Sequence, residues 1–138
     1  MKDYIDFWYS AAQALFAQAF GGEAEFAEST SSDSVSRSSG FAATLKGSRT
    51  GRFIVFLDPG ILDAHLFGSV ANQTLGWREL LREVAGAAAG ELLARTGGRC
   101  EIAEFAEVKE ETRPSRAFQL SLPAGKWTIL VRDEVGGE

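Results

Sequence analysis

Two glutamates, Glu79 and Glu83, stand four residues apart in the run "WRELLREVAGAAAGELLARTGG", and Gly86 and Gly90 follow at helical steps. On a helix these four positions share one face, acidic at its start and bare of side chains afterwards. Paired carboxylates can act as general acid and base, but only when they face each other across a substrate. Two glutamates on one helix face do not, which argues against a hydrolase site of that kind. They read instead as a solvated face, or as part of a surface that a partner protein approaches. Their mutual repulsion is a few tenths of a kcal/mol, relieved in part by Arg78 and Arg82. The glycines are harder to place, because each weakens a helix by about 0.5–1 kcal/mol relative to alanine. Something must offset that. Either another helix packs almost backbone to backbone on Gly86-x-x-x-Gly90, the first helix with its own "SAAQA" being the candidate, or a partner protein comes equally close.

Other chemistries are narrowed by what is scarce. Cys100 is the one cysteine and His65 the one histidine, which leaves no disulfide framework, Cys/His zinc site or Cys–His nucleophilic pair. Cys100 reads as a small buried apolar residue and His65 as a helix-surface or packing residue. Phosphate loops of the Walker type, G-x-S-x-G elbows and dinucleotide fingerprints do not occur. A net charge of −5 would be repelled by nucleic acid and by anionic membranes, so a protein or small-molecule partner is expected, with no nucleic acid. No apolar run reaches the roughly 18 residues a bilayer demands, and "MKDYIDFWYS" is not a leader, so no membrane insertion and a cytoplasmic location are expected.

These residues need elements to hold them, and 138 residues with 45% hydrophobic content suffice for one domain with a core. Ile5, Trp8, Ala12, Leu15, Phe16, Ala19 and Phe20 describe an amphipathic helix over about Lys2–Phe20, stopped by Gly21-Gly22. The serine-rich stretch 29–39 reads as a loop or irregular edge strand. Phe41–Leu57 reads as a hairpin, and Asp58-Pro59 starts a short helix that Gly68 ends. In the helix from Trp77, the residues Leu80, Leu81, Val84, Ala88 and Leu92 form the apolar stripe, and Gly97-Gly98 stop it. "CEIAEFAEV" is then a strand, and "AFQLSL", "PAG" and "KWTILVRD" make a second hairpin.

The order repeats. Setting Gly21-Gly22 on Gly97-Gly98 aligns "SAAQALFAQAFGGEAEFAE" with "GAAAGELLARTGGRCEIAE", and "GRFIVFLD" resembles "GKWTILVRD". Each half, about 1–58 and 77–133, reads helix, glycine pair, strand, hairpin. Two such units predict an α+β fold, a single antiparallel sheet with the helices packed against it.

With these parts in order, the sequence resembles the CheX/CheC family of bacterial chemotaxis phosphatases, most of all its single-domain CheX-type members. The resemblance spans nearly the whole chain. It rests on "YIDFWYSAAQALFAQAFGG", "FAATLKGSRTGRFIVFLD", "WRELLREVAGAAAGELLARTGG" and "FQLSLPAGKWTILV". It implies a pseudo-two-fold α+β fold whose third helix docks on a phosphorylated CheY-type receiver. In that family this helix carries an acid or Ser, then a Glu four residues on, then an Asn three further; the Glu reaches a receiver lysine and the Asn positions the attacking water. Glu79 and Glu83 match the first two positions, Glu83 being the implied catalytic and contact residue, while Gly86 stands where the Asn belongs. Gly90 continues the implied partner-binding face. The corresponding residues of the first helix are Asp3, Phe7 and Ser10, and Asn72 and Gln73 fall in the preceding loop. No cofactor of the chain's own is implied, since the Mg²⁺ belongs to the receiver, and a homodimer joined through the sheets is a further expectation.

Overall fold

The computed structural model describes residues 4–21, 24–29, 39–57, 73–109, 116–123 and 125–137. Helix α1 spans Tyr4–Phe20. Strands β1 (Glu25–Ser29), β2 (Ser39–Gly47) and β3 (Arg49–Leu57) follow. Helix α2 covers Gln73–Thr96, and β4 (Cys100–Lys109), β5 (Arg116–Leu122), β6 (Gly125–Asp133) and β7 (Gly136–Gly137) complete the described chain. The short helix expected from Asp58 to Gly68, His65, Asn72 and most of the serine-rich stretch lie outside the described residues. Among the described residues no helix is long and apolar enough to cross a membrane.

Among the described residues, six antiparallel strands lie in the order β1-β5-β6-β3-β2-β4, with β7 on β3. Exchanging β1 with β4, β2 with β5 and β3 with β6 turns this order into its own reverse. The sheet is therefore two-fold symmetric about the β3–β6 seam, where Val55 pairs with Val131. The halves also interleave, because β1 of the first pairs with β5 of the second and β4 of the second pairs with β2 of the first. Neither half has its own complete sheet.

Alternation along the strands fills one face of this sheet with large apolar groups, as a half-covered antiparallel sheet requires. Phe53, Val55 and Leu57 of β3 join Phe118 and Leu120 of β5 and Ile129 and Val131 of β6 in one core with Trp8, Phe16, Trp77 and Leu81. Under α1 the core is aromatic: Trp8 lies 5.2 Å from Phe53 and 5.8 Å from both Phe26 and Phe118, ring centroid to centroid. Helix α2 packs over β4 and β2. Phe16 and Phe20, near the end of α1, meet Trp77 near the start of α2 at 5.9 and 5.4 Å, which sets the helices antiparallel. Tyr4 ties them elsewhere, its buried hydroxyl donating to the Ala85 carbonyl at 2.9 Å. Burial, with Cys100 and Asp133 nearby, pushes that phenol far above its ordinary pKa, so it stays a neutral donor.

Both helices stop at glycines in the left-handed region, Gly21 at φ 98° and Gly97 at φ 76°. There the absent Cβ removes the steric penalty that other residues meet. The Gly97 amide closes α2 by donating to the Leu93 carbonyl at 2.9 Å. Cys100 is buried as expected, and desolvation raises its thiol pKa.

Candidate functional site: the outer face of the second helix

The stripe predicted for α2 is the buried one: Leu80, Leu81, Val84, Ala88 and Leu92 are all in the core. What remains faces outward. Glu79, Arg82, Glu83, Gly86, Ala87 and Gly90 are all exposed, so the structure brings the four predicted site residues onto one open surface. By helical geometry, Leu75, Arg82, Gly86 and Leu93 fall within about 20° of one meridian, with Glu79 roughly 40° and Glu83 roughly 80° round from it. Leu75 and Leu93, exposed by 47% and 43%, are the large apolar side chains most open to solvent among the described residues. They stand about five turns apart at the two ends of this strip.

The glycines do not pack. A Cβ built on Gly86 or on Gly90 would meet nothing within 4 Å, so the expectation that α1 sits backbone to backbone on them is corrected. Ala12 of α1 and Ala88 and Ala89 of α2 are buried in the shared core. Small buried side chains let helix axes come together. Both glycines are exposed, and Gly90 lines a groove of about 440 Å³ with Ala87 and Glu91 of α2 and Ser10, Ala11 and Ala14 of α1.

No ion pair or hydrogen bond joins Glu79 or Glu83 to Arg78 or Arg82 among the described residues. Among the described residues neither glutamate has an ion pair or a hydrogen bond, although Glu91 and Arg95 of the same helix do pair, at 3.4 Å. Both acids, and Arg82 between them, are therefore open to another molecule. Gln73, expected in the preceding loop, is the buried first residue of α2. One part of this surface went unmarked in the sequence, Arg82 as a member of the strip, whereas Ser10 and Ala14 beside Gly90 belong to the "SAAQA" segment expected near the glycines. Counting three- and four-residue steps from Gly86 would have found Arg82.

Chemically the strip offers two unpaired carboxylates, one unpaired guanidinium, and a smooth stretch that a partner backbone can approach. It offers no side chain at Gly86 to hold a water.

No protein-family model matches the sequence, and no curated protein matches it either. Solved structures do. A chain of the CheX–CheY–BeF3–Mg²⁺ complex from Borrelia burgdorferi superposes with a TM-score of 0.68 at 19% identity, over 95% of this chain and 99% of that one. The chemotaxis protein CheX from Vibrio vulnificus gives a TM-score of 0.66 at 15% identity, over 98% and 100%. The middle domain of FliM from Vibrio alginolyticus gives 0.59 at 10% identity, over 97% and 90%. The fold is that of the CheX and CheC-like chemotaxis proteins, as the sequence resemblance implied.

Proposed function

We propose that this protein is a CheX-like signalling domain that binds a phosphorylated CheY-type receiver through the outer face of α2. One observation carries the reading: Glu79, Glu83, Gly86 and Gly90 form an open strip on α2, with both carboxylates unpaired. Support comes from the fold, shared with a chain seen in complex with CheY, beryllofluoride and Mg²⁺. Glu83 is the principal contact, a carboxylate able to take a receiver lysine, with Glu79 beside it. Acceleration of acyl-phosphate hydrolysis is weak or absent, because at Gly86 no amide holds a water in line, and positioning is the main contribution such a helix makes. The Mg²⁺ is the receiver's.

The test follows decay of a phosphorylated CheY-type receiver with wild type, Glu83→Ala and Gly86→Asn. Wild type binds and leaves the decay rate nearly unchanged, Glu83→Ala weakens binding, and Gly86→Asn accelerates decay. Failure of wild type to bind any phosphorylated receiver overturns the reading; fast decay with wild type that Glu83→Ala abolishes would show that catalysis survives without the amide.

A homodimer is a second part of the proposal. β4 is an end strand of the sheet with no further strand beside it among the described residues, the kind of edge through which two copies can pair. Sedimentation at micromolar concentration decides it, a monomer at every concentration counting against pairing.

A further inference from the structure

Arg82 lies on the same strip, and a role for it there rests on the reading of α2 as a receiver-docking helix. Glu79 and Glu83 explain contact with a cationic group but not a preference for a phosphorylated partner. Two carboxylates offer a phosphoryl group no attractive contact of their own. A cation in the strip supplies one.

Arg82 is placed for that. It is exposed, and it lies near the meridian through Leu75, Gly86 and Leu93. Among the described residues it has no carboxylate partner, although Glu79 and Glu83 are close by. Other arginines of the protein are engaged: Arg95 by Glu91, and Arg116 by Glu28 and Asp6. Arg78, one turn earlier, is half-buried and lies further round the helix. One turn later Gly86 has open space where a Cβ would stand, which lets a partner's surface come down beside the guanidinium. A guanidinium is a planar fork that matches two phosphoryl oxygens at once, and it keeps its charge at every working pH.

We propose that Arg82 makes the recognition phospho-dependent, its guanidinium engaging the phosphoryl oxygens of the receiver while Glu83 holds a cationic group beside them. Arg82 is a specificity residue and takes no part in bond breaking.

The experiment measures the affinity of the full chain for a CheY-type receiver with and without beryllofluoride and Mg²⁺. Wild type prefers the loaded form. Arg82→Gln loses about tenfold of that preference, the size expected for hydrogen bonds to a charged group, with little change toward the unloaded form. Arg82→Lys recovers part of it, keeping the charge without the fork. An unchanged preference in Arg82→Gln overturns the proposal, as does a wild type that binds both forms equally while docking still occurs. A wild type that binds neither form brings down the docking reading itself.

Discussion

α1 and α2 occupy equivalent places over the interleaved sheet and end at left-handed glycines 76 residues apart, Gly21 and Gly97. Moved by that offset, their inward stripes correspond: Tyr4 with Leu80, Ile5 with Leu81, Trp8 with Val84, Ala12 with Ala88, and Phe16 with Leu92, all buried. The outward positions differ. Phe7 stands where α2 has Glu83, and it is 5% exposed while Glu83 is open to solvent. Ser10 and Ala14 stand where α2 has Gly86 and Gly90. Two helices under the same packing demand keep the same inner pattern, and only one keeps a charged, unpaired outer strip. Core packing does not require that strip on α2, which is why it is the better candidate for contact with a partner.

Exchanging the contrasting pair is the strongest way to break this comparison. Phe7→Glu places a carboxylate in the core and should lower stability by more than about 3 kcal/mol, from lost apolar burial and a desolvated charge. Glu83→Phe should stay within about 0.5 kcal/mol of wild type, as surface changes usually do, while removing the proposed receiver contact. Urea denaturation reads both. Similar losses from the two would mean that Glu83 is structurally engaged and the outer faces are alike. Smaller in size, Tyr4→Phe removes the buried hydrogen bond that ties α1 to the Ala85 carbonyl and should cost about 1 kcal/mol. No loss would show that the two helices are held by their apolar contacts alone.

The inner stripes were legible because burial of a helix against a sheet imposes a 3.6-residue period on residue type, and Leu80, Leu81, Val84, Ala88 and Leu92 follow it. Strands β4, β5 and β6 were legible for the matching reason, alternation bounded by turn residues. The interleaving was not. Pairing of β1 with β5 leaves no local mark on "EFAES", since any half-buried strand would carry the same pattern. The start of α2 was read four residues late because Gln73-Thr74-Leu75-Gly76 carries a glycine, which weakens the helical pattern there. Tertiary contact overrides that weakness: Trp77 is fully buried against Phe16 and Phe20 and anchors the first turns. Gly86 and Gly90 were ambiguous in principle, because a glycine in a helix marks a close neighbour and an open surface equally well.

Their substitution sharpens the contrast with α1. Gly86→Ala and Gly90→Ala should each stabilise the fold by about 0.5–1 kcal/mol, since a Cβ meets nothing and the helix gains propensity. Destabilisation by either would restore the close-packing account. The same changes should weaken receiver binding if its backbone lies on this stretch. Stability and binding would then move in opposite directions, the behaviour of a surface shaped for a partner.

The smallest effect lies beside α1, where the outer surface is occupied by the protein's own charges. Arg116 makes two hydrogen bonds to Glu28, at 2.9 and 2.8 Å, lies 3.7 Å from Asp6 of α1, and rests over the Phe118 ring. The hydrogen bonds from Arg116 hold the Glu28 carboxyl below the usual glutamate pKa. The pair's contribution is therefore complete above the unfolded value, about 4.3, and disappears as pH falls through the lower folded value. Both groups are solvent-accessible, which limits the pair to about 0.5 kcal/mol. Glu28→Gln should accordingly lower stability slightly at pH 7, and the gap from wild type should close on acidification below pH of about 4. α2 offers the contrasting control: Glu83→Gln removes a carboxylate with no partner among the described residues, so no such stability gap should open at neutral pH. A gap as large as that of Glu28→Gln would mean that Glu83 is paired in solution, and that its carboxylate is not standing free for a receiver.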